Sequence, residues 1–242
     1  MNTQSLIVLA SIVVSSPAFA QHADMLLIRD NQGDLLTGQY DFDSGQVVDA
    51  HTRVYEGEFD VFGTTDEPGF NALSQSNIPV GFQALGGNEE LSFVANSFGV
   101  GGARANLWHW DGVGEVDFAM ATNSLTISKA PFPVFNSTLD GSDTDVDGFV
   151  IGTTSADGFL HKHIDFGLTD ISAGAHGFYL WSLDLTVGGD TADSIFFVHG
   201  FGIEDEMAHE AAIDWVGAHV VPAPGGLLIA FAIPALGLRR RR

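Results

Sequence analysis

Turn-forming residues punctuate this chain so regularly that little room is left for anything but short strands. Clusters such as Asn31-Gln32-Gly33-Asp34, Gly86-Gly87-Asn88 and Gly188-Gly189-Asp190 recur roughly every ten residues, and the runs between them are rich in Val, Ile, Phe, Tyr and Thr. That interval fits a strand of about five or six residues and its turn, but not a helix of average length. Strands are predicted over 25–29, 35–42, 53–62, 80–85, 91–95, 105–110, 115–120, 124–129, 148–153, 159–168, 178–187 and 194–199. The expected fold is all-β, a β-sandwich or jelly roll in which stacked sheets bury one face of each strand. No fixed repeat and no low-complexity linker interrupts the pattern, so one domain is expected over 21–220.

One stretch departs from this rhythm. Residues 204–215 carry Glu204, Asp205 and Glu206 where a helix N-terminus favours negative charge, and Ala208, Ala212 and Trp215 fall on one face. A short helix is predicted there, with His209 on its solvated side.

Both ends read as targeting segments. Residues 1–20 have an apolar stretch and an Ala18-Phe19-Ala20 cleavage pattern, which together make a signal peptide; the apolar run is about half a membrane span. Residues 221–242 hold three parts in order: Pro222 and Pro224, an uncharged apolar run over 225–238, and Arg239, Arg240, Arg241 and Arg242. The prolines end the folded domain, and the arginines would stay on the cytoplasmic side of a membrane. As a helix the apolar run would span about 21 Å, short of a ~30 Å hydrocarbon core, and Pro234 interrupts it.

This tail resembles the PEP-CTERM sorting signal of Gram-negative bacteria, with Pro222-Ala223-Pro224 where that signal usually has Pro-Glu-Pro. The resemblance implies an exosortase-type sorting enzyme as partner, the inner membrane as a station before processing, and delivery to the cell surface or an exopolysaccharide matrix. The domain between is similar to exported bacterial PEP-CTERM proteins through Val54-Tyr55-Glu56-Gly57-Glu58, Leu107-Trp108-His109-Trp110-Asp111-Gly112, His161-Lys162-His163-Ile164-Asp165-Phe166 and Gly177-Phe178-Tyr179-Leu180. Some of those proteins are associated with zinc limitation, which implies a zinc role.

Charge excludes one class of partner. With the four terminal arginines set aside, Arg29, Arg53, Arg104, Lys129 and Lys162 stand against thirty-one acids, a net of −26. Such a field repels phosphate backbones and attracts cations, so nucleic acid is not an expected partner. The chain has no cysteine, so burial or bound metal must hold an exported fold together. No G-x-S-x-G elbow is present, and Gly99-Val100-Gly101-Gly102 lacks the Lys-Ser/Thr of a phosphate-binding loop. The expected role is therefore binding or structural, not catalytic; a polysaccharide-processing enzyme is the remaining alternative.

Two stretches offer metal ligands. His161, His163 and Asp165 alternate along one predicted strand and so share a face, a spacing that lets two imidazoles and a carboxylate hold zinc. Antiparallel pairing with 178–187 would bring Asp184 beside them as a fourth ligand, and His199 would join only in a favourable register. Asp143, Asp145 and Asp147 alternate before Gly148 like the opening of a calcium loop, with Asp140 as a further oxygen. The twelfth position of an EF-hand would fall on Thr154, which excludes that motif. Trp108 and Trp110 share a face, as core or as a sugar-stacking platform.

Overall fold

The computed structural model describes residues 24–41 and 44–222. The signal peptide read over 1–20, Pro224, the apolar run over 225–238 and Arg239 to Arg242 lie outside the described residues. The first strands are β1 (Asp24–Arg29), β2 (Leu35–Asp41), β3 (Gln46–Asp49), β4 (Val54–Glu58), β5 (Thr64–Thr65) and β6 (Phe70–Ala72). The middle of the chain supplies β7 (Glu90–Asn96), β8 (Phe98–Val100), β9 (Ala103–Ala105), β10 (Trp108–Trp110), β11 (Ala119–Met120), β12 (Leu125–Lys129) and β13 (Phe135–Leu139). Then come β14 (Val146–Thr153), β15 (Leu160–Lys162), β16 (Asp165–Leu168), β17 (Gly177–Val187), β18 (Asp190–Thr191), β19 (Ile195–Phe201) and the helix α1 (Glu206–His219). The described chain is thus mostly β with one α-helix.

Three sheets carry the architecture. A five-stranded sheet runs β15-β6-β1-β2-β3, and a four-stranded one β13-β12-β16-β5. In the eight-stranded sheet β11-β10-β17-β19-β4 forms the main path, with β7 and β18 also on β17 and β14 beyond β7. β17 is the hub, and its alternation shows why. Tyr179, Trp181, Leu183, Leu185 and Val187 face the main core, while Phe178 and Leu180 face a second apolar layer under α1. β19 divides likewise, with Ile195, Phe197 and Phe201 in the main core and Phe196 and Val198 beneath the helix. A sheet covered on both faces needs continuous apolar strands, which is what these two are. The main core also takes Met25 and Leu27, Phe70 and Ala72, and Leu125, Ile127 and Phe166 from the other two sheets.

Trp108 and Trp110 belong to the layer under the helix, both nearly fully buried, with Trp110 stacked on Phe178 at 5.5 Å. They are core and not an open platform.

Several predicted strands are shorter than expected or broken, each for a local reason. The run 53–62 stops at Glu58 because the Asp60 carboxylate accepts the N–H groups of Phe62 and Thr64 at 2.9 and 2.8 Å, closing a turn. The run 105–110 breaks at Asn106, whose buried amide takes the N–H groups of Asp140 and Gly141 and donates to the Thr144 carbonyl. Residues 80–85 make only a bridge from Gln83 to Arg29, and of 115–120 only the last two residues pair. β3, β5, β6, β8, β13 and β18 fall outside the predicted runs.

The helix forms where acidic residues predicted it, capped by Asp205, whose carboxylate accepts from Met207 N and Ala208 N. Its buried face is His209, Ala212 and Val216. His209 is therefore not solvated. Its Nε2 lies 2.9 Å from the Val198 carbonyl and its Nδ1 3.1 Å from Glu58 Oε1, so both nitrogens face acceptors. Burial opposes charge on this ring, but the Glu58 hydrogen bond, the Val198 carbonyl and the charges of Glu58 and Glu56 outweigh it and hold its pKa above the ordinary value. A raised folded-state pKa contributes stability that is complete below the unfolded value near about 6.5 and is lost as pH rises through the folded one. The melting-temperature difference between the native chain and His209→Gln should accordingly be largest near pH 6 and shrink by pH 9. A pH-independent difference would show that the ring docks uncharged.

Candidate metal centre

The five-stranded sheet presents Asp24, Asn71 and His161 on one face. β15 pairs antiparallel with β6, placing His161 opposite Asn71, and β6 pairs parallel with β1, placing Asn71 beside Leu26. Successive side chains alternate, so Asp24 shares the face of Leu26. After Lys162 the chain leaves this sheet, and at Asp165 it enters the four-stranded one as β16, where Phe166 pairs with Thr65 of β5. His163 lies in that crossing. The segment joining β5 to β6 crosses alongside it and brings Asp66, Glu67 and Gly69.

At this crossing His161 Nε2 and His163 Nε2 stand 2.9 Å apart, and Asp24 Oδ2 is 3.4 Å from His161 Nε2. Ligand atoms on one tetrahedral ion with bonds of ~2.0–2.1 Å are about 3.3 Å apart, so these three atoms have the spacing of a shared coordination shell. The His163 tautomer also fits. Its Nδ1 is 3.0 Å from the Asp66 carbonyl, an oxygen that can only accept, so Nδ1 carries a hydrogen, and in the neutral ring Nε2 then keeps its lone pair. Gly69 makes the room: a Cβ there would sit 2.6 Å from His163 Cε1 and 2.8 Å from Nε2. The Gly69 N–H in turn orients Asp24 Oδ1 at 3.0 Å and Glu67 Oε2 at 3.2 Å.

A second group of possible ligands shares His163. Asp66 Oδ2 and Glu67 Oε1 lie 3.9 and 3.8 Å from its Nδ1. Burial, and then the adjacent Asp24 carboxylate, push the Glu67 carboxyl above its usual range against the pull of His163. A cation held between these acids would relieve both effects.

The structure therefore brings together His161 and His163 but not the other predicted zinc ligands. Asp165 falls after the change of sheet and is exposed, lining with Asp66 an open acidic cavity of about 410 Å³. Asp184 lies on the eight-stranded sheet opposite Val94, its carboxylate accepting from Ser194 Oγ at 2.6 Å. The predicted pairing of 159–168 with 178–187 is replaced by packing across the core, where Phe166 meets Trp181 at 5.6 Å. His199 is fully buried among Trp181, Phe59 and Phe197.

Nor do the three predicted calcium ligands form a group among the described residues. Asp145 is taken by Ser97, whose N–H and Oγ hold its carboxyl below the usual range, and by Arg104 at 3.5 Å. Asp143 and Asp147 are exposed, and the Asp140 carboxylate instead accepts from the Ser142 N–H. Of the sorting residues, Pro222 is exposed and its carbonyl accepts from Arg53 Nη1 at 3.3 Å. Sequence reasoning missed Asp24, Glu67 and Asn71, which only strand pairing and the crossing beside β6 carry to the histidines.

Among the described residues no helix is long and apolar enough to cross a membrane. Compared with protein-family models, with curated proteins and with solved structures, the chain matches none.

Proposed function

We propose that this chain is an exported, non-catalytic β-protein that binds zinc through Asp24, His161 and His163 and is delivered to the cell surface or extracellular matrix. The observation that carries the zinc reading is the convergence of two imidazole Nε2 atoms and a buried carboxylate at 2.9 and 3.4 Å, with one imidazole already fixed in the ligating tautomer. Two imidazoles and a carboxylate suit zinc ahead of magnesium or calcium, which take all-oxygen shells. A calcium ion at Asp143, Asp145 and Asp147 has no comparable support.

Export and sorting rest on the two ends of the sequence. In this reading an exosortase-type enzyme takes the tail bearing Pro222, Pro224 and Arg239 to Arg242 at the inner membrane, and the acidic domain then meets exopolysaccharide. The sheets stack as a β-sandwich, a reading supported by Phe166 of one sheet lying against Trp181 and Phe197 of another at 5.6 and 5.7 Å.

One preparation tests both halves. Full-length chain expressed in a Gram-negative host, recovered from the exported fraction and purified without chelator or affinity metal, should contain one equivalent of zinc by elemental analysis. Protein confined to the cytoplasm would end the export reading, and exported protein free of zinc would end the metal reading.

A further inference from the structure

We infer that Asn71 is the fourth ligand of this centre, making it a closed structural site that ties β1, β6 and β15 together and leaves no position for a substrate. The inference rests on the zinc reading above. Asn71 is fully buried, lies directly opposite His161, and has its Nδ2 3.4 Å from Asp24 Oδ2, the carboxylate oxygen nearest His161 Nε2. Its own Oδ1 is buried without a hydrogen-bond partner. An amide oxygen enclosed without a donor is a costly arrangement that a bound group would relieve.

The two ends of an Asn amide are nearly isosteric, and rotation about χ2 exchanges them. The turned amide puts Oδ1 where Nδ2 now stands, 3.4 Å from Asp24 Oδ2. His163 Nε2, His161 Nε2, Asp24 Oδ2 and Asn71 Oδ1 are then linked by spacings of 2.9, 3.4 and 3.4 Å, all near the ~3.3 Å edge of a zinc tetrahedron. The turn gives up one long hydrogen bond, moves the amide N–H groups to the enclosed position that Oδ1 now holds, and gains a metal–oxygen bond. Four protein ligands fill a zinc shell, and a filled shell marks a structural site, whereas a catalytic one keeps a position for water.

Cobalt(II) is the probe, because its visible spectrum reports coordination and responds to azide only where a ligand position is open or held by water. The native chain should bind one cobalt with tetrahedral bands that millimolar azide leaves unchanged. Asn71→Leu, which removes the oxygen at similar volume, should bind cobalt at least about 10-fold more weakly and gain an azide response. Asn71→Asp keeps both shape and oxygen and should stay azide-insensitive, which keeps the question open to test if the leucine variant does not fold. An azide response in the native chain, or native affinity in Asn71→Leu, would overturn the role of Asn71 and leave the triad standing. No cobalt bound by the native chain, or undiminished binding after His161→Ala with His163→Ala, would overturn the triad itself.

Discussion

Trp181→Ala should be the most damaging single truncation in the β-core, lowering stability by about 3–5 kcal/mol. The indole is fully buried on the hub strand and stacks on Phe197 at 5.2 Å with the rings 4° from parallel, while Phe166, Phe59 and His199 close around it at 5.6, 6.2 and 4.6 Å. These neighbours come from β4's extension, β16 and β19, so the cavity left by alanine has walls on separate elements that cannot collapse together. One feature of the site works the other way. Trp181 Nε1 is buried without a hydrogen-bond partner, and deleting it removes that penalty. Trp181→Phe, which keeps an aromatic ring and drops the N–H, should therefore lose well under half as much. Urea unfolding at constant m-value checks both. An alanine variant within about 1 kcal/mol of the native chain would mean that the two sheets do not pack through this residue.

Trp181 also marks what the sequence made legible. The set Tyr179, Trp181, Leu183, Leu185 and Val187 is readable as one buried face because period-2 alternation is a local property. The same holds for the short helix, whose acidic start and Asp205 cap are adjacent in the chain. Which strand lies beside which is a non-local property, and there the reading failed. Residues 159–168 look like one strand, since neither Gly nor Pro interrupts His163-Ile164. The break is imposed from outside, by β6 pairing with residues up to Lys162 and β5 pairing from Phe166 onward. A strand that changes sheets at a corner keeps its alternation but not its neighbours. His161 and His163 thus stay together while Asp165 is carried away. Asp24 takes the place of Asp165 through the parallel pairing of β1 with β6, for which no sequence signal exists. Asn106 is a second instance: a polar residue in an apolar run looks like an interruption, and its work of holding the loop at 140–144 appears only when that loop is folded against it.

Saturating zinc should raise the melting temperature by several degrees, and the ligand set decides which variants lose the rise. An ion that binds only the native state stabilises it by RT ln(1 + [L]/Kd), about 2.7 kcal/mol at a hundredfold excess over Kd. For a chain of this size each kcal/mol is worth roughly 2–4 °C, so the expected rise is about 5–11 °C. His161→Ala combined with His163→Ala should abolish it, because both Nε2 atoms are lost. Asp24→Asn is the sharper probe. It keeps the shape of a residue that the Gly69 N–H holds in place, yet removes the charge that a dication needs, so most of the rise should vanish. Asp165→Asn and Asp184→Asn should respond to zinc like the parent, since one carboxylate lines the acidic cavity and the other is bonded to Ser194 on a different sheet. The reverse pattern, with Asp165 and Asp184 required and Asp24 dispensable, would restore the ligand set suggested by alternation along a single strand and refute the change of sheet at His163. A rise that persists in the double histidine variant would place the ion elsewhere among the thirty-one acids and leave the convergence at the crossing without a metal role.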